Sequence, residues 1–518
     1  MNGKYYESEY EEAFCDLLRE QGWIIEHGDD LHRKYTDALL EEDLMLFLRN
    51  QYSSTGLTDT DYANIVSRLR NISGATDYAS HREAYKLYHD GLDISFSDHT
   101  KPSVHIDYID YQKHDDRSKS HNIFRAVNQF EMHEGKENRR PDIMLFINGI
   151  PVGIIELKNP TDQNATIRDA HTQICLRYRR DIFSRLRYCA IACISDGSNS
   201  RLGSVFTPYE YFYAWKKIKN EDKPGKGVDQ MKSLIAGALS PDRIVQILRD
   251  YIFIPDVDEK DHDEDETEIV CRYPQFFALE MLRDNILHHL RSNGGDGKGG
   301  TYFGATGCGK TYTMLFLAKQ LAQRCRSQIQ SPTILIIVDR EDLESQAGKL
   351  FCKATWYMDD KSIKVFDSRQ ELGEELRTRE SGGLYITTIQ KFTKETGLLS
   401  NRSNIICFSD EAHRSQTGIG SQLKIKDKEE DSQKLGAFIT YGFAQYLRDA
   451  LPNATYVGFT GTPIDETVHV FGAVVDRYTM REAKEDDITV DISYVPRLAR
   501  VFADSDKIKE IEKYYAQC

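Results

Sequence analysis

No apolar run in the 518 residues approaches the roughly eighteen needed to span a bilayer, and the opening Met1-Asn2-Gly3-Lys4-Tyr5-Tyr6 begins no signal peptide. A cytoplasmic protein without membrane contact is expected. The ten cysteines lack the close pairing of a zinc site. The nearest approach, Cys189-x3-Cys193, lies in the apolar run 188–194 and reads as buried thiols on a core strand. Internal repeats are missing too, which excludes a solenoid. Positive charge is scarce: 67 Lys and Arg against 82 Asp and Glu leave a net charge of −15.

That balance argues against a nucleic-acid partner until its distribution is considered. Residues 256–268 hold nine Asp or Glu against one Lys and supply −8 of the −15 by themselves. Residues 168–187 hold six Arg against two Asp, a local +4. Phosphate backbones respond to local charge rather than to the total. The Arg run is therefore either a phosphate-facing groove or a solvated helix face. The acidic stretch repels itself and reads as a linker or solvated loop. It divides the chain into a module at 1–250, a linker at 251–270, a second module at 271–475 and a trailing segment at 476–518.

Ser8 to Gln21 reads as an amphipathic helix with capping-box spacing between Ser8 and Glu11, an apolar face of Phe14, Leu17 and Leu18, and Gly22 as its stop. Farther on, two apolar strands flank Asn148-Gly149, a strong hairpin signal. They carry three charged residues: Asp142, Glu156 and Lys158. Glu156 and Lys158 share one sheet face, with Leu157 pointing into the core. A three-residue loop at 148–150 pairs residue 147 with 151 and sets Asp142 opposite Glu156; a two-residue loop misaligns them unless a bulge intervenes.

Carboxylates placed this way hold a divalent cation that polarises a phosphodiester, and a lysine beside them orients or deprotonates water. Glu11 and Glu12 are further candidate ligands. A surface ion pair is the competing reading, weakened by the cost of unpaired charge in apolar strands. A helix after Asn159-Pro160 carries Gln173 and Arg177, four apart and hence on one face, as candidates for DNA contact or support of the site.

The second module opens with Gly304-Ala-Thr-Gly307-Cys-Gly309-Lys310-Thr311, predicted to lie between a strand and a helix. Backbone N–H groups of such a loop cradle phosphates, Lys310 reaches the terminal ones and Thr311 holds Mg²⁺. The strand 404–409 ends in Asp410-Glu411, where Asp410 completes the Mg²⁺ shell and Glu411 polarises the hydrolytic water. Strands at 333–338, 384–389 and 454–460 complete a parallel sheet.

Asp410-Glu411-Ala412-His413 with this phosphate loop resembles the first motor domain of a superfamily 2 helicase or translocase. In that resemblance Gln275 belongs to the adenine-reading motif, and Thr460, Gly461 and Thr462 couple hydrolysis to movement along DNA. Asp339-Arg340 and Thr387-Thr388-Ile389-Gln390 resemble segments that hold a strand's backbone. The order Asn128-Gln129-Phe130, Arg140-Pro141-Asp142, Asn148-Gly149, Glu156-Leu157-Lys158, Ser195-Asp196-Gly197 and then the motor resembles the restriction (R) subunit of type I restriction-modification systems.

The resemblance implies a PD-(D/E)xK-type, restriction-endonuclease-like α/β domain followed by a RecA-like P-loop motor. It implies an ATP- and Mg²⁺-dependent endonuclease that translocates double-stranded DNA and works with methylation (M) and specificity (S) subunits. Two departures accompany it. Tyr178, five residues past Gln173, falls on a different face of an α-helix, since five steps turn about 500°. No second motor domain follows, so the chain reads as an amino-terminal portion that binds ATP and hydrolyses it poorly. A stand-alone repair helicase-nuclease and a non-catalytic DNA-binding remnant are the alternatives.

Overall fold

The computed structural model describes residues 7–95, 102–114, 119–158, 166–256, 266–339, 341–359, 363–366, 368–393, 395–410, 422–424, 438–440, 443–462 and 465–489. Two seven-stranded sheets organise it. The first takes strands 24–27, 124–128, 143–147, 150–157, 191–195, 200–203 and 213–214 in that order. Strand 24–27 runs parallel to 124–128 and strand 150–157 parallel to 191–195, while the other neighbours are antiparallel. Helix Glu7–Glu20 packs on one face through Phe14 and Leu18, and Gly22, at φ 103°, turns the chain into the first strand.

Strand Ile150–Leu157 is buried along its whole length, Glu156 included, because helices and neighbouring strands cover both faces. The hairpin ahead of it differs from the expected three-residue loop. Ile147 pairs with Ile150, so Asn148 and Gly149 alone make the turn, both with positive φ (51° and 76°), as the right-handed twist of a two-residue hairpin favours. Phe146 then pairs with Pro151 but Leu145 with Gly153. Val152 is the extra residue of a bulge. That bulge restores the register of Ile143 with Ile155, and one step further Asp142 falls opposite Glu156.

The acidic stretch is not a bare linker. Asp256 pairs with Arg82 and accepts from the Thr355 amide (3.1 Å), Glu266 pairs with Arg179 (2.8 Å), and Glu268 meets His81 in a fully buried contact (3.0 Å). Residues 257–265 lie outside the described residues. The Arg run is likewise engaged: Arg180 pairs with Asp181, Arg185 donates to the His133 carbonyl, and Arg187 donates to the Arg70 and Ile72 carbonyls. These contacts commit much of it to holding the module together rather than to lining a phosphate groove.

In the second sheet, strands 364–365, 384–388, 333–338, 405–409, 455–460, 298–304 and 474–478 lie in that order, all parallel. The predicted strands are present with ends shifted by a residue or so, and Val474–Tyr478 carries the sheet past residue 475. Buried apolar side chains from both sheets form one continuous cluster. Tyr251 packs on Phe276 (ring centroids 4.7 Å apart) and Lys216 pairs with Asp486 (2.8 Å) where the modules meet. No helix among the described residues is long and apolar enough to cross a membrane.

Candidate active sites

Asp142, Glu156, Lys158 and Gln173 line one open cleft of about 1010 Å³, together with Glu11, Glu12, Asn128 and Gln129. Lys158 Nζ donates to Glu156 Oε1 (2.8 Å) and Gln173 Oε1 (3.0 Å). Because an ammonium only donates, this contact fixes which end of the Gln173 amide faces it. Gln173 Nε2 then donates to the Tyr178 hydroxyl (2.6 Å), which donates to Glu156 Oε2 (3.2 Å). Four side chains thus close a ring of hydrogen bonds around one carboxylate.

Tyr178 overturns the helical-wheel expectation. Residues Gln173–Tyr178 form a π-helical turn, not an α-helical one, and a ladder closing on the fifth residue stacks 173 and 178. Arg177, between them in sequence, is exposed to solvent. Tyr178 is the site residue that helix geometry concealed. A glutamine five residues ahead of a tyrosine, soon after Glu156 and Lys158 in sequence, was the signal available.

Asp142 Oδ2 accepts from the Leu157 amide (2.7 Å), which ties the carboxylate to the strand carrying Glu156. Burial first, and the charge of Asp142 second, push the Glu156 carboxyl up to about 8, against the lowering pull of Lys158 and Tyr178. Two neighbouring carboxylates so placed, one buried and raised further by the charge of the other, fit a divalent cation. The expected extra ligands are a different matter. Among the described residues no three His, Cys, Asp or Glu side chains gather closely enough to hold a metal. Glu11 is instead buried and accepts from Asn128 Nδ2 (2.8 Å) and Gln129 Nε2 (2.6 Å), so it does not serve as a helix cap either.

The phosphate loop leaves strand Lys298–Gly304 at its carboxyl end, with Gly307 and Gly309 at φ 82° and 87°, conformations that a side chain would strain. Helix Lys310–Lys319 follows directly, and Lys310 Nζ donates to the Gly304 carbonyl (3.3 Å) while Thr311 stands partly exposed beside it. Gln275 is buried: it accepts from the Arg272 amide (2.9 Å) and donates to the Gly309 carbonyl (3.1 Å), so it braces the loop.

Asp410 ends strand Ile405–Ser409 on the same edge of the sheet, with its amide on the Ile337 carbonyl (2.8 Å). Thr460 Oγ1 accepts from the Thr462 amide (3.1 Å) in a tight turn. A side chain on Gly461 would come within 3.4 Å of Thr306 Oγ1 and 3.9 Å of Lys310 Nζ. The expected motor-coupling turn therefore abuts the phosphate loop. Arg340, Glu411, Ala412 and His413 lie outside the described residues.

A glycine loop on the carboxyl edge of an all-parallel sheet defines a P-loop ATPase module, here preceded by a separate carboxylate-bearing mixed sheet. Comparison with known proteins agrees. Residues 274–517 match the SWI2/SNF2 ATPase family, and residues 4–211 match the N terminus of type I restriction enzyme R proteins. The chain is 31% identical over 510 residues to the type I restriction enzyme HindI endonuclease subunit of Haemophilus influenzae, covering 94% of this chain and 46% of that protein. It is 25% identical over 506 residues to the SauMSSORF170P endonuclease subunit of Staphylococcus aureus, covering 93% and 46%. Among solved structures, a nuclease-deletion mutant of the type ISP enzyme LlaGI with a DNA substrate mimic aligns over 48% of this chain and 22% of that one at 16% identity, with a TM-score of 0.27. The chain belongs to the family of type I restriction enzyme endonuclease (R) subunits, and it spans about half the length of the relatives it matches.

Proposed function

We propose that the first sheet is a PD-(D/E)xK-type endonuclease and the second an ATP-driven motor, together cutting and translocating double-stranded DNA beside methylation and specificity subunits. The observation that carries this reading is the hydrogen-bonded ring of Glu156, Lys158, Gln173 and Tyr178 next to Asp142. Asp142 and Glu156 would hold Mg²⁺, which when bound polarises the scissile phosphate. Lys158 places its ammonium where it offsets charge on the phosphate and orients water. Gln173 and Tyr178 fix the positions of Lys158 and Glu156, and Arg177 faces outward toward DNA. At the second site, the backbone of residues 304–309 and Lys310 hold the ATP phosphates, Thr311 and Asp410 hold Mg²⁺, and Gln275 steadies the loop. Glu411 is the proposed water-polarising group. Thr460, Gly461 and Thr462 relay hydrolysis to movement.

Lys158→Ala and Lys310→Ala test the two sites separately. The first abolishes DNA cutting and leaves ATP binding intact; the second weakens ATP binding and leaves divalent-cation binding at the nuclease cleft intact. A chain in which neither substitution changes either property is a DNA-binding remnant instead.

A further inference from the structure

The phosphate-loop helix ends at a side chain that the chemistry above does not use. Lys319 lies nine residues beyond Lys310, about 14 Å along the helix, and is 3% exposed. Its Nζ lies 4.0 Å from the centroid of the Tyr357 ring and 3.4 Å from His89 Nε2. That nitrogen also faces the Arg249 carbonyl (2.8 Å) and so carries a hydrogen, while His89 Nδ1 meets Asp90 (2.6 Å). Two donors therefore crowd one another at the centre of the cluster. Burial pulls the Lys319 ammonium down to about 8, with Asp250 and then Asp90 opposing.

A second π turn, Gln320–Arg324, follows at once and aims Arg324 at buried Asp250, the carboxylate that also holds Arg249 (3.2 Å). Within that turn Gln320 Nε2 is buried without a hydrogen-bond partner. Buried cations seldom stabilise a fold more than an apolar side chain of equal size would. The cluster therefore adds little stability of its own.

His89 belongs to helix Asp77–Asp90, which reaches the nuclease side through His81 on the Arg187 carbonyl (2.9 Å) and Tyr88 on the Tyr188 carbonyl (3.2 Å). Residues 187–188 directly follow the helix that continues from the Gln173–Tyr178 turn. Helix 310–319, helix 77–90 and the helices at 173–186 thus follow one another between the phosphate loop and the cleft of Asp142 and Glu156. We infer that Lys319 is a positioning residue through which nucleotide occupancy at Gly304–Thr311 shifts helix 77–90 and, with it, the nuclease module. This rests on ATP binding at the loop, as proposed above.

Hydrogen exchange on the 518-residue chain, with and without AMP-PNP and Mg²⁺, tests it. In the unaltered chain the nucleotide slows exchange at 304–311 and changes it by about threefold or more at 81–90. In Lys319→Met the first effect persists and the second vanishes; Lys319→Arg restores it. His89→Gln probes the cluster from the other side, should Lys319→Met fold poorly, and it too loses the response at 81–90. No protection at 304–311 overturns the ATP reading and this inference with it. Protection there with an unresponsive 81–90, or a response that survives in Lys319→Met or His89→Gln, overturns the inference alone.

Discussion

Gln173 and Tyr178 stand five residues apart, yet their side chains are hydrogen-bonded at 2.6 Å because the turn between them is π-helical. The extra residue in that turn delivers a hydroxyl to the back of Glu156 while Gln173 holds Lys158 from the front. Removing the hydroxyl with Tyr178→Phe leaves the packing in place and deletes only the polar link. Cleavage is expected to fall about tenfold, the value of one hydrogen bond to a charged group, with little change in melting temperature. Gel assays of DNA cutting beside calorimetry check both halves.

Gln173→Ala offers a sharper version. It removes the amide that holds both Lys158 and Tyr178. Cutting should be lost while ATP binding at the other module is retained, as a nucleotide titration of the same protein will reveal.

The raised Glu156 carboxyl would make the proposed cation binding pH-dependent. Its folded-state pKa, about 8, lies above the ordinary 4.5, so between those values the folded chain holds a proton that the unfolded chain has lost. Apo-protein stability therefore declines from this source as pH rises from 4.5 to 8 and levels off above. Cation affinity moves the other way, rising by up to about tenfold per pH unit until near 8. Titration calorimetry with Mg²⁺ at pH 6, 7 and 8.5 measures it; Glu156→Gln should abolish binding and flatten the stability profile.

Gly149→Ala tests the turn that sets the register. Gly149 has φ 76°, and a Cβ there would sit 2.0 Å from the Leu40 carbonyl oxygen, a backbone atom with little room to yield. A loss of about 2–4 kcal/mol is expected, read by urea denaturation. Nuclease activity should fall with it, because Asp142 depends on that hairpin.

Much of the motor was legible from the chain alone. The phosphate loop, the strand ahead of Asp410 and the strands at 333–338 and 455–460 are local patterns whose residues dictate their own backbone. The cleft that gathers Asp142, Glu156 and Lys158, the proposed nuclease site, could be anticipated in its residues but not in its geometry. A bulge at Val152 and a π turn at 173–178 each add one residue to a regular period, and tertiary packing rather than local propensity selects such insertions. The acidic stretch misled for a related reason: charge density says nothing about where Arg82, Arg179 and His81 wait to receive it.

The bulge at Val152 leaves the hairpin one residue of slack. Val152 has no partner across the ladder, so a chain without it still sets Leu145 opposite Gly153 and Asp142 opposite Glu156. Excising Gly153 as well has no spare to draw on and slides Leu157 opposite Asp142, so one loss ought to be survived and two ought to blind the cleft.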